Sequence, residues 1–344
     1  MDTLQLRQPD DWHLHLRDGA ALAAVLPHTA AQFARAIVMP NLKPPVTTTA
    51  LAGAYRERIL AALPAGSHFQ PLMTLYLTDR TEPAEMAQAR ASGFIHGCKL
   101  YPAGATTYSD AGVTDIRHID AVLEAMAAAG LPLLVHGEVT HPTTDVFDRE
   151  ARFIDEVLVP LRRRLPQLRI VFEHVTTRAA VQFVQAQAQG VAATLTPQHL
   201  LLNRNALFNG GLRPHLYCLP VLKRESDRQA LLDAVLVGDS RFFLGTDSAS
   251  HARATKENAC GCAGIYSAHA ALELYAEVFD AAGALHRLEA FASEFGPRFY
   301  GLPLNSGVVT LRREAWTVPS HYAFGEDVIV PLRAGESMNW RLRK

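Results

Sequence analysis

Two histidines separated by one residue are the first sign of chemistry. Near the start the chain reads Asp11-Trp12-His13-Leu14-His15-Leu16-Arg17-Asp18. On a strand, residues two apart share a face, so His13 and His15 point the same way. Two imidazoles side by side in a core are costly without a shared partner, and a divalent metal is the natural one. The competing reading is a hydrogen-bonded pair on a half-exposed edge strand. Arg17, two residues further on, and the Gly19 turn behind it favour the metal.

Three more candidates stand where apolar runs end. His136 closes Leu133-Leu134-Val135-His136, His174 closes Ile170-Val171-Phe172-Glu173-His174, and Asp247 follows Phe243-Leu244-Gly245-Thr246. A lone histidine there can be a satisfied core residue, and a lone Asp can cap the next helix. Repetition at equivalent places argues for a shared site. A carboxylate at Asp247 can both ligate a metal and move a proton. Lys99 sits inside Gly97-Cys98-Lys99-Leu100-Tyr101, in a chain with five lysines among 33 basic residues. A lysine in an apolar strand is expensive unless paired or neutralised. Either it meets a buried acid, or its neutral amine takes up carbon dioxide as a carbamate, a long carboxylate able to bridge metals. Nitrogen and oxygen donors without thiolate suit zinc, with manganese or cobalt as substitutes. His13, His15, Lys99, His136, His174 and Asp247 exceed the four ligands of one tetrahedral zinc. Two ions ~3.5–4 Å apart use them all.

These residues need a scaffold that brings strand ends together. Runs at 12–16, 36–39, 69–77, 95–101, 133–136, 170–174, 192–196 and 242–245 read as strands. Helical patterns lie between them, among them 115–129, 147–165, 177–189 and 226–238. Runs such as LPLLVH and RFFLGT are apolar without alternation, as in strands covered on both faces. About eight such units predict an α/β fold, a (β/α)₈ TIM barrel whose C-terminal strand ends build the site. Short strands at 308–311 and 328–331 make a small C-terminal extension, and residues 1–344 read as one domain. Arg and Lys total 33 against 34 acids, for a net charge of -1, so no basic excess points to nucleic acid. No apolar run approaches the ~20 residues that cross a bilayer, and the N-terminus lacks the pattern of a signal peptide. The four scattered cysteines make no disulfide framework, and the cytoplasm is the expected compartment. Cys218, Cys260 and Cys262 read as small packing residues rather than a zinc site.

Together the strings DWHLHLRDG, MPNLKPP, KLYPAGATT, HGE, FEH and GTDSASHARATKENACGCAG resemble the amidohydrolase superfamily and, within it, the dihydroorotases of bacterial and plant type. The likeness runs in order from Trp12 to Gly264. It implies two zinc ions per subunit: His13, His15 and Asp247 on the more buried one, His136 and His174 on the other, and N6-carboxylated Lys99 bridging both with a hydroxide. It implies Arg17, Asn41 and His251 on a substrate carboxylate, and backbone groups of Leu219 and Ala263 on the ring. Asp247 is the implied general base and acid. The small, polar loop 102–112 reads as a mobile lid, with Thr106 and Thr107 closing on the substrate. The implied reaction is the reversible, zinc-dependent hydrolysis of a cyclic amide, interconverting L-dihydroorotate and N-carbamoyl-L-aspartate in pyrimidine synthesis. A homodimer and a small-molecule substrate, with neither nucleic acid nor membrane, are expected. Two alternatives stand beside this: a cyclic amidase acting on hydantoins or dihydropyrimidines, and a non-catalytic scaffold. Arg17, Asn41 and His251 argue against the first, the complete ligand set against the second.

Overall fold

The apolar runs become strands buried along nearly their whole length, which is why they show no alternation. The structure, a computed structural model, describes residues 2–343. β1 (Thr3–Arg7) lies outside the barrel. The barrel strands are β2 (Asp10–His15), β3 (Arg35–Val38), β4 (Gln70–Tyr76), β5 (Ile95–Leu100), β6 (Leu133–Val135), β7 (Ile170–Phe172), β8 (Val191–Leu195), β9 (Phe242–Leu244) and β10 (Ser248–Ala249). They pair in parallel in the order β10-β2-β3-β4-β5-β6-β7-β8-β9. β9 and β10 are two halves of one run, interrupted at residues 245–247. One half pairs with β8, the other with β2, so the sheet curls round on itself as the expected barrel. The expected strands fall within two residues of the observed ones; β10 was not expected.

Two apolar layers hold the barrel. Leu14, Val38, Leu75, Val135, Phe172, Ala193 and Leu244 face outward to the helices. Trp12, Ile37, Leu72, Leu134, Val171, Ala192 and Phe243 fill the interior below the site. Trp12 and His13 are neighbours, yet both belong inside. The reason is a bulge in β2: Asp11 pairs with Ala36 and Leu14 with Val38, so β2 carries one extra residue there. Asp11 pins the bulge, accepting from His13 N (3.1 Å), Thr246 N (2.9 Å) and Thr246 Oγ1 (2.6 Å). The helix Phe295–Tyr300 closes the bottom of the barrel. A Cβ at Gly296 would stand 1.9 Å from Trp12 Nε1, so only glycine allows this approach.

The helical patterns are observed with irregularities. Residues 115–129 form a short 3₁₀ turn, Ile116–Ile119, and then the helix Asp120–Ala129. Residues 147–165 run through Arg149–Phe153 and Val159–Arg164, joined by a wider turn at Ile154–Leu158.

The C-terminal extension is larger than expected. The run at 308–311 opens the ten-residue β11 (Val308–Thr317). β12 (Tyr322–Phe324), β13 (Asp327–Ile329) and β14 (Ser337–Leu342) follow. β1 and β14 flank β11 in one antiparallel sheet, so the two ends of the chain are stitched together. Pairs so distant in sequence leave no local signal. Among the described residues no helix is long and apolar enough to cross a membrane.

Candidate metal centre and active site

Strand ends β2, β5, β6, β7 and the β9–β10 break deliver their side chains to one point. His13 and His15 come from β2, and one ligand atom of each lies within 4.8 Å of the other and of an Asp247 oxygen. His15 Nε2 is 3.0 Å and His13 Nε2 3.4 Å from Asp247 Oδ1. The opposite nitrogens are fixed from behind: His13 Nδ1 is 2.8 Å from Glu173 Oε2, and His15 Nδ1 is 2.8 Å from Asn41 Oδ1. Such partners set the tautomer that leaves Nε2 free for a metal. The ring of His174 lies 4.9 Å from those of both His13 and His136. His136 Nε2 is held by Glu138 Oε2 at 2.8 Å.

Backbone strain aims two of these groups. His174 has φ 40° and Asp247 φ 46°, the left-handed region that non-glycine residues avoid. By alternation from Val171, residue 173 faces inward and residue 174 outward. The twist at His174 turns it inward as well, so Glu173 and His174 both reach the centre. At Asp247 the same twist breaks the last strand and turns the carboxylate inward. No helix starts there, so the reading of Asp247 as a cap is overturned.

Electrostatics match a site that expects cations. Asp247 is buried, which alone would raise it, yet the bond from His15 and the charge of Lys99 hold it ionised, down at about 2. Burial pushes Glu173 up to about 7, against the pull of Lys99. Burial, helped by Lys99, keeps His13 and His174 neutral far below the usual imidazole range. Lys99 is wholly buried and is pulled down to about 8 by desolvation, although Glu173 and Asp247 oppose it. Its Nζ has no hydrogen-bond partner, so the ion pair open to it in the sequence is not made. His13 Nε2 and His174 Nδ1 are likewise buried and make no hydrogen bond, although His13 Nε2 faces the Asp247 carboxylate. Buried nitrogen and oxygen groups of this chemistry, converging on one point without hydrogen bonds among themselves, fit a bound cation. The His13, His15 and Asp247 cluster is therefore compatible with a metal.

The cleft above this centre is lined by Arg17, Asn41, Tyr101, Thr106, Thr107 and Leu219, together with Ala263. Arg17 has φ 60°, which turns it across the cleft after β2 ends. Its Nη2 is 3.0 Å from His251 Nε2, while its Nη1 is buried with no partner. His251 and Asn41 are both buried. The loop at 102–112 lies over the cleft. Thr107 Oγ1 donates to Ala263 O (3.2 Å), and Asn41 Nδ2 donates to Thr107 O (3.2 Å). Every sequence-predicted site residue thus lies in or directly around one cleft.

The cysteine reading needs correction. Cys218 is buried, but Cys260 is exposed and Cys262 only partly covered, so only Cys218 of the three packs as a small core residue. Among the described residues no metal-ligating group contains a cysteine. Glu173, Glu138 and Asp11 were not singled out from the sequence. Alternation from Val171 was the signal for Glu173. We expect Glu173→Gln to weaken metal affinity by roughly 10–100-fold, the usual cost of losing a partner that orients a ligand. A competitive zinc titration checks this, and unchanged affinity would show that Glu173 does not set the His13 tautomer.

Comparison with known proteins now bears on the site. The Amidohydrolase family profile matches residues 11–334. The dihydroorotase of Cupriavidus taiwanensis is 68% identical over 340 residues, covering 99% of this chain and 99% of that one. The crystal structure of dihydroorotase from Campylobacter jejuni superposes with a TM-score of 0.91 at 34% identity, covering 100% of this chain and 98% of the other. That of dihydroorotase from Saccharomyces cerevisiae, in complex with 5-fluoroorotic acid, gives 0.92 at 32% identity, covering 100% and 99%.

Proposed function

The chain belongs to the amidohydrolase family, and on that premise we propose that it works as a dihydroorotase, opening and closing the cyclic amide of L-dihydroorotate. One observation carries the choice of substrate. Arg17 Nη1 is buried in the cleft without a partner, beside His251 and close to Asn41. A guanidinium held this way calls for an anion, and its fork fits a carboxylate. Dihydroorotate carries a carboxylate on its ring; hydantoin and dihydrouracil do not.

His13, His15 and Asp247 would hold one zinc ion and His136 and His174 a second, and a carbamate on Lys99 would add a further anionic oxygen ligand. The lowered basicity of Lys99 and its orphaned Nζ support the carbamate, because only a neutral amine takes up carbon dioxide. When bound, the metal supplies a Lewis acid that activates water at neutral pH and polarises the carbonyl. The chain's own groups do the rest. Arg17, Asn41 and His251 hold the ring carboxylate, and backbone groups of Leu219 and Ala263 hold the ring. Asp247, ionised at neutral pH, takes the proton from the attacking water. It then gives that proton to the ring nitrogen as the C–N bond breaks. Ring closure runs in reverse, with Asp247 taking the amide proton. Thr106 and Thr107 exclude water while the loop is down, and its opening admits substrate.

We read residues 1–344 as one domain, supported by the pairing of β1 with β11. A homodimer in the cytoplasm completes the reading. The test is a panel of three rings given to zinc-loaded protein. Dihydroorotate alone should open, on the order of 10⁴-fold faster than hydantoin or dihydrouracil, the scale on which a site built for a polar group rejects an analogue without it. Comparable opening of all three would assign the site to an unselective cyclic amidase.

A further inference from the structure

Lys256 lies in the motif-rich stretch that ends in CGCAG, yet neither the metal centre nor the proton transfer uses it. It is only 3% exposed, at the end of the helix Arg253–Lys256. Its Nζ donates to three main-chain carbonyls: Tyr217 O at 2.8 Å, Cys262 O at 2.8 Å and Gly264 O at 2.7 Å. An ammonium has three N–H donors, so all are used.

Those carbonyls belong to two separate segments. Tyr217 comes just before Cys218 and Leu219, while Cys262 and Gly264 flank Ala263. Leu219 and Ala263 line the cleft. Gly264 N also donates to Tyr217 O at 3.0 Å, so the segments touch directly at that one bond. The packing there has no slack: at Gly264, φ +150°, a Cβ would come 2.8 Å from His251 Cδ2 and 2.9 Å from Ala249 O. Three charge-assisted bonds at one point resist sliding far better than a single neutral one.

We infer that Lys256 is a positioning residue that sets the spacing between the Leu219 and Ala263 backbone groups and so governs how tightly the cleft grips a dihydropyrimidine-type ring. The identity of that ring rests on the function proposed above. Displacements of about 1 Å remote from the reacting atoms can cost ~10²-fold, and here the displaced groups are ring contacts, so the loss falls on binding.

The test compares metal-loaded wild type with Lys256→Met and Lys256→Arg. Arginine keeps the charge and bulk but spreads its N–H groups in a plane, which three converging carbonyls do not match. For both variants we expect the KM for dihydroorotate and the Kd for orotate to rise about 10-fold or more. Bound metal should stay at the wild-type level, and kcat within ~3-fold of it. Wild-type KM and Kd in either folded variant would overturn the inference, as would a loss explained by lost metal. If Lys256→Met fails to fold, Lys256→Arg is judged alone by the same criteria. Wild type that binds orotate but leaves dihydroorotate intact would overturn the proposed function, and the orotate Kd values would still decide the role of Lys256.

Discussion

Lys99→Ala should lose bound metal and with it more than ~10²-fold of dihydroorotate turnover, beyond the cost of losing a group that merely orients a ligand. The native amine is wholly buried, makes no hydrogen bond and is pulled down to about 8 by desolvation. An ordinary lysine at that pH is almost entirely protonated, and a protonated amine cannot form a carbamate. Without the side chain, the carbamate proposed above has no amine to form on. The barrel should survive, because the truncated atoms face the centre and the apolar layer beneath rests on Trp12, Leu134 and Phe243. Metal analysis and circular dichroism separate the two effects. Short carboxylic acids in the buffer should restore part of the activity by standing where the carbamate stood. A fully active alanine variant without additives would rule out a bridging carbamate.

Asp247→Asn should keep the fold and most of the metal but lose on the order of 10²–10⁴ in turnover, the range for removing a general base. The amide can still coordinate through its oxygen, yet it has no charge with which to take a proton. The substitution preserves shape at a position of positive φ, where asparagine is among the better tolerated residues. Turnover within threefold of wild type would show that the proton travels by another route. Single-turnover kinetics would locate the loss at the chemical step.

The two halves of the site were legible to different degrees. His13 and His15 could be read because a strand repeats every two residues; the bulge between Asp11 and Leu14, which brings Trp12 in beside them, could not. Barrel strands were visible as apolar runs because helices cover them. Glu173 was passed over although alternation from Val171 turns it inward; what left no residue signature is the backbone twist that brings His174 in beside it. β10, two residues long, carries no pattern of its own. β1 is a strand because β11 lies beside it, some three hundred residues later in the chain. Lys256 was equally opaque, since its partners are main-chain carbonyls, which no side-chain motif records.

The most direct measurement is the opening of L-dihydroorotate followed by absorbance in protein stripped by a chelator and then titrated with zinc. The account predicts no turnover in the stripped protein and recovery that levels off at two zinc ions per chain. Turnover that persists without metal would contradict it, as would a protein restored to two zinc ions that leaves dihydroorotate intact.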